Sequence, residues 1–213
     1  MNPTARTRLL SIPAALALAL TAAPAVPAGL KPGDQAPVFM VKAHDESEFY
    51  LRDYCGEPRG KRNRQERNVL VLSFFATWCK PCMEEMPMLQ EMASKYRDQG
   101  VLFYLVNKGQ TRDTVGNFLF EQVVSLPVLM DQYEVISKKY GVRELPTLAV
   151  IGGNGRLAEY HTGYQQGYQK VLEHKLDSLL GKVLPKPQGT TGDSVPKPKG
   201  AKPKRKTPGQ RVN

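Results

Sequence analysis

Cysteine is scarce in this chain of 213 residues, which contains three cysteines, three histidines and one tryptophan. Three cysteines are too few for a disulfide-held scaffold, and a domain of this size can bury an apolar core without one. No second cysteine pair and no Cys/His spacing completes a zinc site. The histidines (His44, His161 and His174) stand apart and are predicted at the surface or at strand ends. This scarcity favours catalytic cysteines over structural ones.

Net positive charge is lacking in the part of the chain that can fold into a domain. The formal net charge is +10, but the segment 182–213 alone contributes +8, from nine Lys/Arg and one acid. Arg6 and Arg8 add the remaining +2, so residues 29–181 are close to neutral. This balance excludes a basic nucleic-acid-binding domain. The chain also has no nicotinamide or flavin motif, and we therefore predict no cofactor and no resident metal.

The N-terminal segment has the features of an export signal. Arg6 and Arg8 precede an uncharged, alanine-rich and leucine-rich stretch, and Val26-Pro27-Ala28 offers small residues for cleavage. We therefore predict a signal peptide over residues 1–28 and an exported, periplasmic protein. The alternative is an uncleaved anchor that tethers the domain to the outer face of the membrane. Three prolines in the uncharged stretch disfavour that alternative.

Two basic segments flank or interrupt the predicted domain, which spans residues 29–181. GEPRGKRNRQER, residues 56–67, is predicted to be a solvated insertion. Residues 182–213 are rich in proline and lysine and poor in apolar residues, so they are predicted to be a disordered tail. The tail either acts as a solubilising extension or contacts an anionic membrane or wall surface.

Hydrophobic patterning predicts an α/β fold with a central mixed β-sheet flanked by helices and with an N-terminal β-hairpin extension. Asn68–Phe75 is a continuous apolar run, typical of a central strand buried on both faces. Val38–Ala43 and Glu48–Leu51 predict the hairpin. The remaining predicted strands are Val101–Val106, a short piece at Pro127–Leu129, Leu148–Ile151 and Arg156–His161, and the predicted helices run from the cysteine pair to Arg97 and over Thr111–Val123, Asp131–Tyr140 and Gln165–Leu180.

The motif Cys79-Lys80-Pro81-Cys82 lies between the predicted central strand and a predicted helix. A helix N-terminus carries unpaired N–H groups and a positive dipole end, which lower the pKa of a nearby thiol. Cys79 is therefore predicted to be the exposed nucleophile that attacks a substrate disulfide, and Cys82 the thiol that resolves the mixed disulfide. Trp78 and Pro81 stiffen the turn.

Glu85 is one helical turn beyond Cys82 and should lie on the same helix face. A carboxylate there can accept the proton of Cys82 or tune its pKa. The alternative is an ordinary surface glutamate, as expected for Glu84.

The motifs together resemble the TlpA/ResA-like thiol–disulfide oxidoreductases, a branch of the thioredoxin superfamily. Residues 78–87 match the W-C-x-P-C-x-x-E-x-P signature of that family. The resemblance covers roughly residues 33–181. Three further segments contribute to it: Gly33-Asp34 with Ala36-Pro37, Tyr140-Gly141-Val142 followed by Leu145-Pro146-Thr147, and the turn Gly152–Gly155.

The resemblance implies a thioredoxin-like fold in which Pro146 is cis and faces the cysteine pair. It implies that Cys79 and Cys82 are redox-active, that Glu85 tunes them, and that Leu145 and Pro146 present backbone to the substrate. Trp78, Pro81 and Thr147 complete the predicted substrate-binding set. The implied activity is reduction of protein disulfides, with electrons from a membrane donor protein, and the family includes members that serve cytochrome c or copper-site maturation.

Several alternatives stay open. A disulfide oxidase or isomerase would use the same cysteines, although 63 residues between Cys82 and Pro146 leave little room for a helical insertion. A Cu(I)-binding metallochaperone could add thioether ligands from Met83, Met86 and Met88. A structural disulfide would close too small a loop to stabilise the fold much. A binding module with an incidental cysteine pair would keep its function in a Cys79→Ser protein.

Cys55 precedes the central strand and is predicted at the end of the strand opposite the cysteine pair. Seven strand residues span ~23 Å, whereas a disulfide requires Cα atoms within ~7 Å. Cys55 is therefore predicted to take no part in the redox chemistry.

Overall fold

The structure is a computed structural model, and it describes residues 29–57 and 68–181. The predicted signal peptide (1–28), most of the basic insertion and the predicted tail (182–213) lie outside the described residues. Within the described ranges, none of the helices is both long enough and apolar enough to cross a membrane.

Twelve helices and strands and one 3-10 turn follow each other along the described residues. In chain order they are β1 (Met40–Lys42), β2 (Glu48–Tyr50), α1 (Leu51–Tyr54), β3 (Val69–Phe75), α2 (Lys80–Tyr96), the 3-10 turn Arg97–Gln99, β4 (Val101–Lys108), α3 (Arg112–Glu121), β5 (Val128–Asp131), α4 (Val135–Lys139), β6 (Thr147–Ile151), β7 (Leu157–Thr162) and α5 (Tyr168–Leu179).

The main sheet is mixed and has the strand order β5-β4-β3-β6-β7. β3 pairs in parallel with β4 and antiparallel with β6, and β5 extends the parallel side while β7 extends the antiparallel side. β1 and β2 form a separate antiparallel hairpin, and Ala43 just after β1 bridges to Leu129 of β5. The predicted mixed sheet and N-terminal hairpin are confirmed, but Leu51, predicted in the second hairpin strand, begins the unpredicted helix α1.

β3 is the middle strand of the sheet, and its side chains are buried on both faces. Val69, Val71 and Phe75 belong to one apolar cluster, with α2 and α5, which we call the helix-side core. Leu70, Leu72 and Phe74 belong to a second cluster, with the hairpin and α4. A continuous apolar run is the expected pattern for such a strand, because alternate residues point into opposite layers.

α2 begins directly after Cys79, which occupies the N-cap position. Its buried face includes Met86, Leu89 and Met92, at the helical spacing that the sequence predicts. The helix passes into the 3-10 turn and ends at Gly100, whose φ of +76° places it in the left-handed region that favours glycine.

Three helices are shorter than predicted: α3, α4 and α5, the last of which begins at Tyr168 and not at Gln165. Asp131 ends β5, and its carboxylate accepts hydrogen bonds from the N–H groups of Ile136 (3.0 Å) and Ser137 (2.7 Å). The third predicted helix therefore begins at Val135 because Asp131 caps it across an intervening turn. Val123 lies beyond α3 with φ +53° and an exposed side chain, so it does not extend the apolar face of that helix.

We expect Asp131→Ala to lower the free energy of unfolding by roughly 3 kcal/mol, because two N–H groups and the Ser137 hydroxyl lose a charged acceptor inside the protein. Urea denaturation measures the change. Asp98→Ala is the control, since Asp98 is exposed, and it should change the stability by less than about 0.5 kcal/mol. Equal effects of the two substitutions would contradict this role of Asp131.

Candidate active site

The cysteine pair and the loop before β6 lie at the same edge of the sheet. β3 ends at Phe75, and four residues later the chain reaches Cys79. Thr147, the first residue of β6, pairs with Phe74 near the end of β3. Because β6 runs antiparallel to β3, the residues just before β6 and just after β3 meet at one sheet edge.

Cys79 and Cys82 form a disulfide across the first turn of α2, with an S–S distance of 2.04 Å and a Cα–Cα distance of 5.3 Å. The backbone N–H of Cys82 donates a hydrogen bond to the Cys79 sulfur (3.3 Å), as expected at a helix N-terminus. This contact and the helix dipole both favour a thiolate at Cys79 in the reduced protein.

The prediction that Cys79 is exposed is wrong for this disulfide form. Cys79 is 4% and Cys82 2% exposed, and both belong to the helix-side core. The sulfurs are bonded to each other and packed among apolar side chains that include Phe75 and Ala76. The exposed groups of the motif are its neighbours instead: Trp78 is 73% exposed, and Lys80 and Pro81 are also exposed.

A hydrogen-bond clamp holds the loop between β3 and α2. The side-chain oxygen of Gln110 accepts from the backbone N–H of Thr77 (2.8 Å) and from the amide of Asn107 (2.9 Å). The side-chain nitrogen of Gln110 donates to the Thr77 hydroxyl (2.7 Å). Sequence reasoning missed this clamp, because Gln110 and Thr77 are 33 residues apart and neither belongs to a motif.

Glu85 is buried beneath the motif, with 3% of its surface exposed. It lies on the buried face of α2 together with Cys82. The hydroxyl of Ser73 in β3 donates to Oε2 of Glu85 (2.8 Å). Burial raises the pKa of Glu85 to about 7, although the Ser73 hydrogen bond acts in the opposite direction. The alternative of an ordinary surface glutamate is wrong for Glu85, whereas Glu84 is exposed as expected.

The role of Ser73 was also not predicted, although the sequence contains a signal for it. It is the single polar residue in the otherwise apolar strand VLVLSFF. A polar side chain in a strand buried on both faces requires a hydrogen-bond partner. Because successive side chains of a strand point to opposite faces, Ser73 lies on the same face as Val71 and Phe75, which is the face that α2 covers.

The peptide bond between Leu145 and Pro146 is cis, as the resemblance implies. The carbonyl of Pro146 accepts from the backbone N–H of Gly163 (2.8 Å), and the Thr147 hydroxyl donates to the carbonyl of Glu144 (2.7 Å). Leu145 is partly exposed, whereas Pro146 and Thr147 are buried. The buried Thr147 side chain therefore stabilises the turn that contains the cis-proline.

Cys55 lies at the other end of β3, as predicted. The N–H of Asn68, just before β3, donates to the carbonyl of Tyr54 (2.9 Å). Cys55 is buried in the second apolar cluster, which contains the hairpin and α4, and its thiol lies 3.7 Å from the carbonyl oxygen of Leu51. Cys79 and Cys82 belong to the opposite cluster, so the sheet separates Cys55 from them.

The methionines considered as copper ligands pack with the core. Met86 is buried, and Met83 and Met88 pack against the helix-side core. Within residues 29–57 and 68–181, no group of three or more His, Cys, Asp or Glu side chains is placed to hold a metal ion.

Comparison with known proteins identifies clear relatives. The AhpC/TSA family matches residues 32–160. The thiol-disulfide oxidoreductase ResA of Bacillus anthracis is 31% identical over 153 residues, which are 72% of this chain and 79% of that protein. ResA of Geobacillus thermodenitrificans is 34% identical over 131 residues, which are 62% of this chain and 69% of that protein.

Solved structures share the fold. A Chlorobium tepidum structure described as a thiol:disulfide interchange protein DsbE has a TM-score of 0.63 and 27% identity, and the match covers 72% of this chain and all of that one. StoA of Bacillus subtilis has a TM-score of 0.53 and 19% identity, covering 66% of this chain and 97% of that one. The predicted thioredoxin-like fold is confirmed.

The raised pKa of Glu85 predicts a specific dependence of stability on pH. Glu85 keeps its proton up to about pH 7 in the folded protein, whereas its ordinary pKa is 4.5. Between these values the unfolded chain binds fewer protons, so the free energy of unfolding falls as the pH rises. The fall amounts to roughly 3 kcal/mol. It should be complete above about pH 7.

We expect Glu85→Gln to abolish this fall, because a neutral amide has no proton to lose. Urea denaturation of the oxidised protein at pH 5 and pH 8 measures it, and the variant should gain stability relative to the parent at pH 8. Glu84→Gln, which alters the exposed neighbour, is the control and should keep the fall. A Glu85→Gln protein with the parent's pH dependence would contradict the buried, protonated Glu85.

Proposed function

Because this chain belongs to the AhpC/TSA family and is a thiol–disulfide oxidoreductase with a thioredoxin-like fold, we propose that it reduces disulfides in other proteins through a Cys79–Cys82 cycle. One observation carries the proposal. The two cysteines are joined across the first turn of α2, and a carboxyl group with a raised pKa is buried on the same helix face.

The first step is nucleophilic attack by Cys79 in the reduced protein. Its thiolate lies at the N-cap of α2, where the N–H of Cys82 and the helix dipole stabilise negative charge. The thiolate attacks one sulfur of the substrate disulfide and forms a mixed disulfide. The other substrate sulfur leaves as a thiolate and takes a proton from solvent.

The second step needs a base, because Cys82 must lose its proton before it attacks. Glu85 is that base, and a pKa of about 7 suits a group that accepts a proton near neutral pH. The Cys82 thiolate attacks the Cys79 sulfur, the bond from Cys79 to the substrate breaks, and the second substrate thiolate leaves. The substrate gains two electrons, and the Cys79–Cys82 disulfide is restored.

The substrate docks on the rim around the disulfide. Trp78 and Pro81 are exposed on one side of it, and Leu145 is partly exposed on the loop that meets the same sheet edge. Leu145 and Pro146 offer backbone groups to an extended substrate segment, as the family resemblance implies. Thr147 contributes by holding the turn through Glu144.

The reductase direction is favoured over the oxidase or isomerase direction. An oxidase of the DsbA kind would carry a helical insertion between the cysteine helix and the cis-proline. After α2 and its 3-10 turn, the chain forms β4, α3, β5 and α4 before Pro146, and the two helices have ten and five residues. Electrons then come from a membrane donor protein, since the sequence has no nicotinamide or flavin motif.

Export to the periplasm completes the proposal. The N-terminal signal pattern supports it, with an uncleaved membrane tether as the alternative. Proteins in that compartment form disulfides, so a disulfide reductase finds substrates there. Substrates of cytochrome c or metal-site maturation fit the family resemblance, and the basic tail is suited to contact an anionic membrane or wall surface.

Trapping the mixed disulfide tests the proposed roles. We expect Cys82→Ser to accumulate a covalent adduct with a disulfide-bonded substrate protein through Cys79, because the resolving thiol is missing. Cys79→Ser should form no adduct and lose reductase activity by at least about a hundredfold, since the residual thiol at Cys82 lies inside α2 and not at the N-cap position that favours a thiolate. Mass spectrometry and the rate of substrate reduction measure the two outcomes.

Cys55→Ser is the matched control for the trapping experiment. Cys55 is also buried but lies in the opposite core cluster, so this variant should keep the parent's reduction rate. An adduct through Cys55, or full activity of Cys79→Ser, would refute the proposed cycle.

A further inference from the structure

His161 and Tyr168 form a stacked pair between the sheet and a helix. Their ring centroids are 4.1 Å apart and the ring planes differ by 16°. His161 lies in β7 and Tyr168 is the first residue of α5. Neither residue belongs to the family signature, and His161 was predicted only at the surface or at a strand end.

The pair carries two buried polar atoms that need partners. Within residues 29–57 and 68–181, neither Nε2 of His161 nor Oη of Tyr168 has a hydrogen-bond partner, although both atoms are buried. Buried polar atoms rarely stay unsatisfied, and an ordered water commonly joins such groups. Stacked, nearly parallel rings do not direct Oη at Nε2, so a bridging water suits this geometry better than a direct bond.

His161 lies on the same row of the sheet as Ser73, whose hydroxyl donates to Glu85. Ser73 of β3 pairs with Leu148 of β6, and Leu148 pairs with His161 of β7. Residues paired across neighbouring strands point to the same face, so His161 lies two strands from Ser73, ~10 Å away. Tyr168 packs in the helix-side core over this row. The Ser73 hydroxyl binds Glu85, which places the three ionisable groups in one layer.

Two acidic side chains act on Tyr168. Burial raises the pKa of Tyr168, and the carboxylates of Glu159 and Glu85 add to the effect. Glu159 of β7 is paired with Lys175 of α5 (3.3 Å). The same layer contains Cys82 of α2, Ser73 of β3, Tyr168 of α5 and His161 of β7.

Glu85 needs a route by which its proton leaves. The proposed cycle deposits one proton on Glu85 in each turnover, and Glu85 is almost completely inaccessible to solvent. His161 is partly exposed as a residue, whereas its Nε2 is buried. Imidazole can take a proton on one nitrogen and release one from the other.

We propose that Tyr168 and His161 are the proton exit of Glu85, an inference that rests on the proposed reductase function. After Cys82 attacks Cys79, the Glu85 carboxyl group passes its proton through an ordered water at Tyr168 Oη to Nε2 of His161. The imidazole then releases one proton to solvent. One proton leaves per turnover and no electrons move in this step. Tyr168 and His161 are positioning residues, since they act through Glu85 and not on sulfur.

The test follows proton release and disulfide formation separately after rapid mixing. The full chain carrying Cys55→Ser is reduced and mixed with an aromatic disulfide reagent, whose coloured leaving thiolate stays ionised and reports sulfur chemistry. A pH indicator reports the proton that reaches solvent. In the parent, we expect both signals of the Cys82 step to rise with one rate constant near pH 7.

Tyr168→Phe and His161→Phe keep an aromatic ring in the stack but remove the polar atoms. We expect the proton signal of each variant to lag the colour signal at least fivefold, while the first-turnover colour signal is unchanged. Adding Glu85→Gln to either variant should remove the lag, because no proton is then stored on Glu85. A role in packing alone would not produce a lag that depends on Glu85.

Tyr160→Phe is the matched control, because Tyr160 is the neighbour of His161 in β7 but bonds the carbonyl of Tyr140 on the opposite side of the sheet. It should show no lag.

Absence of a lag in both Tyr168→Phe and His161→Phe, with the sulfur chemistry intact, would overturn the proton exit and leave the proposed reductase standing. A parent that forms no Cys79–Cys82 disulfide would instead refute the proposed function. His161→Gln serves as the second variant if His161→Phe does not fold.

Discussion

The hydrogen bond from Ser73 to Glu85 is the interaction around which the site is organised. It joins the central strand to the cysteine helix inside the helix-side core, with a distance of 2.8 Å and with both residues buried. A carboxyl group in such a layer is costly to ionise, so its pKa rises to about 7. The fold thereby holds a carboxyl group with a raised pKa on the helix that carries both cysteines.

The same sheet edge supplies the other parts of the site. β3 delivers the cysteine motif to the N-terminus of α2, where N–H groups favour a thiolate. β6, antiparallel to β3, begins beside that motif and brings the cis-proline loop to it. Gln110 fixes the loop between β3 and α2 from the end of β4. Three neighbouring strands therefore define one reactive edge, while Cys55 remains at the opposite end.

Burial of both sulfurs in the disulfide form accords with a protein that reacts mainly with docked partners. The accessible part of the site is the rim of Trp78 and Pro81, with Leu145 on the facing loop. Under the proposed function, partner selection lies in this rim and chemistry lies beneath it. Under the proposed proton exit, the stacked His161 and Tyr168 connect the layer of Glu85 to the surface of β7.

Local pattern and motif order were sufficient to predict the strands, the cysteine helix and the final hairpin, because each has a strong hydrophobic period or turn signal. The cis bond at Pro146 followed from the family resemblance. Long-range contacts were not predictable from one sequence: Asp131 shortens α4 by capping it from β5, and Gln110 clamps Thr77 from 33 residues away. The burial of Cys79 was missed because spacing places it at a helix mouth but does not reveal what packs over it.

The reduction potential of the Cys79–Cys82 pair tests the central claim most directly. It is measured in the chain carrying Cys55→Ser, by equilibration against a thiol–disulfide buffer of known potential. A value near or below about −250 mV, on the thioredoxin side of the scale, is the result that a reductase requires. A value near about −120 mV would make the pair a strong oxidant and would contradict the reductase assignment.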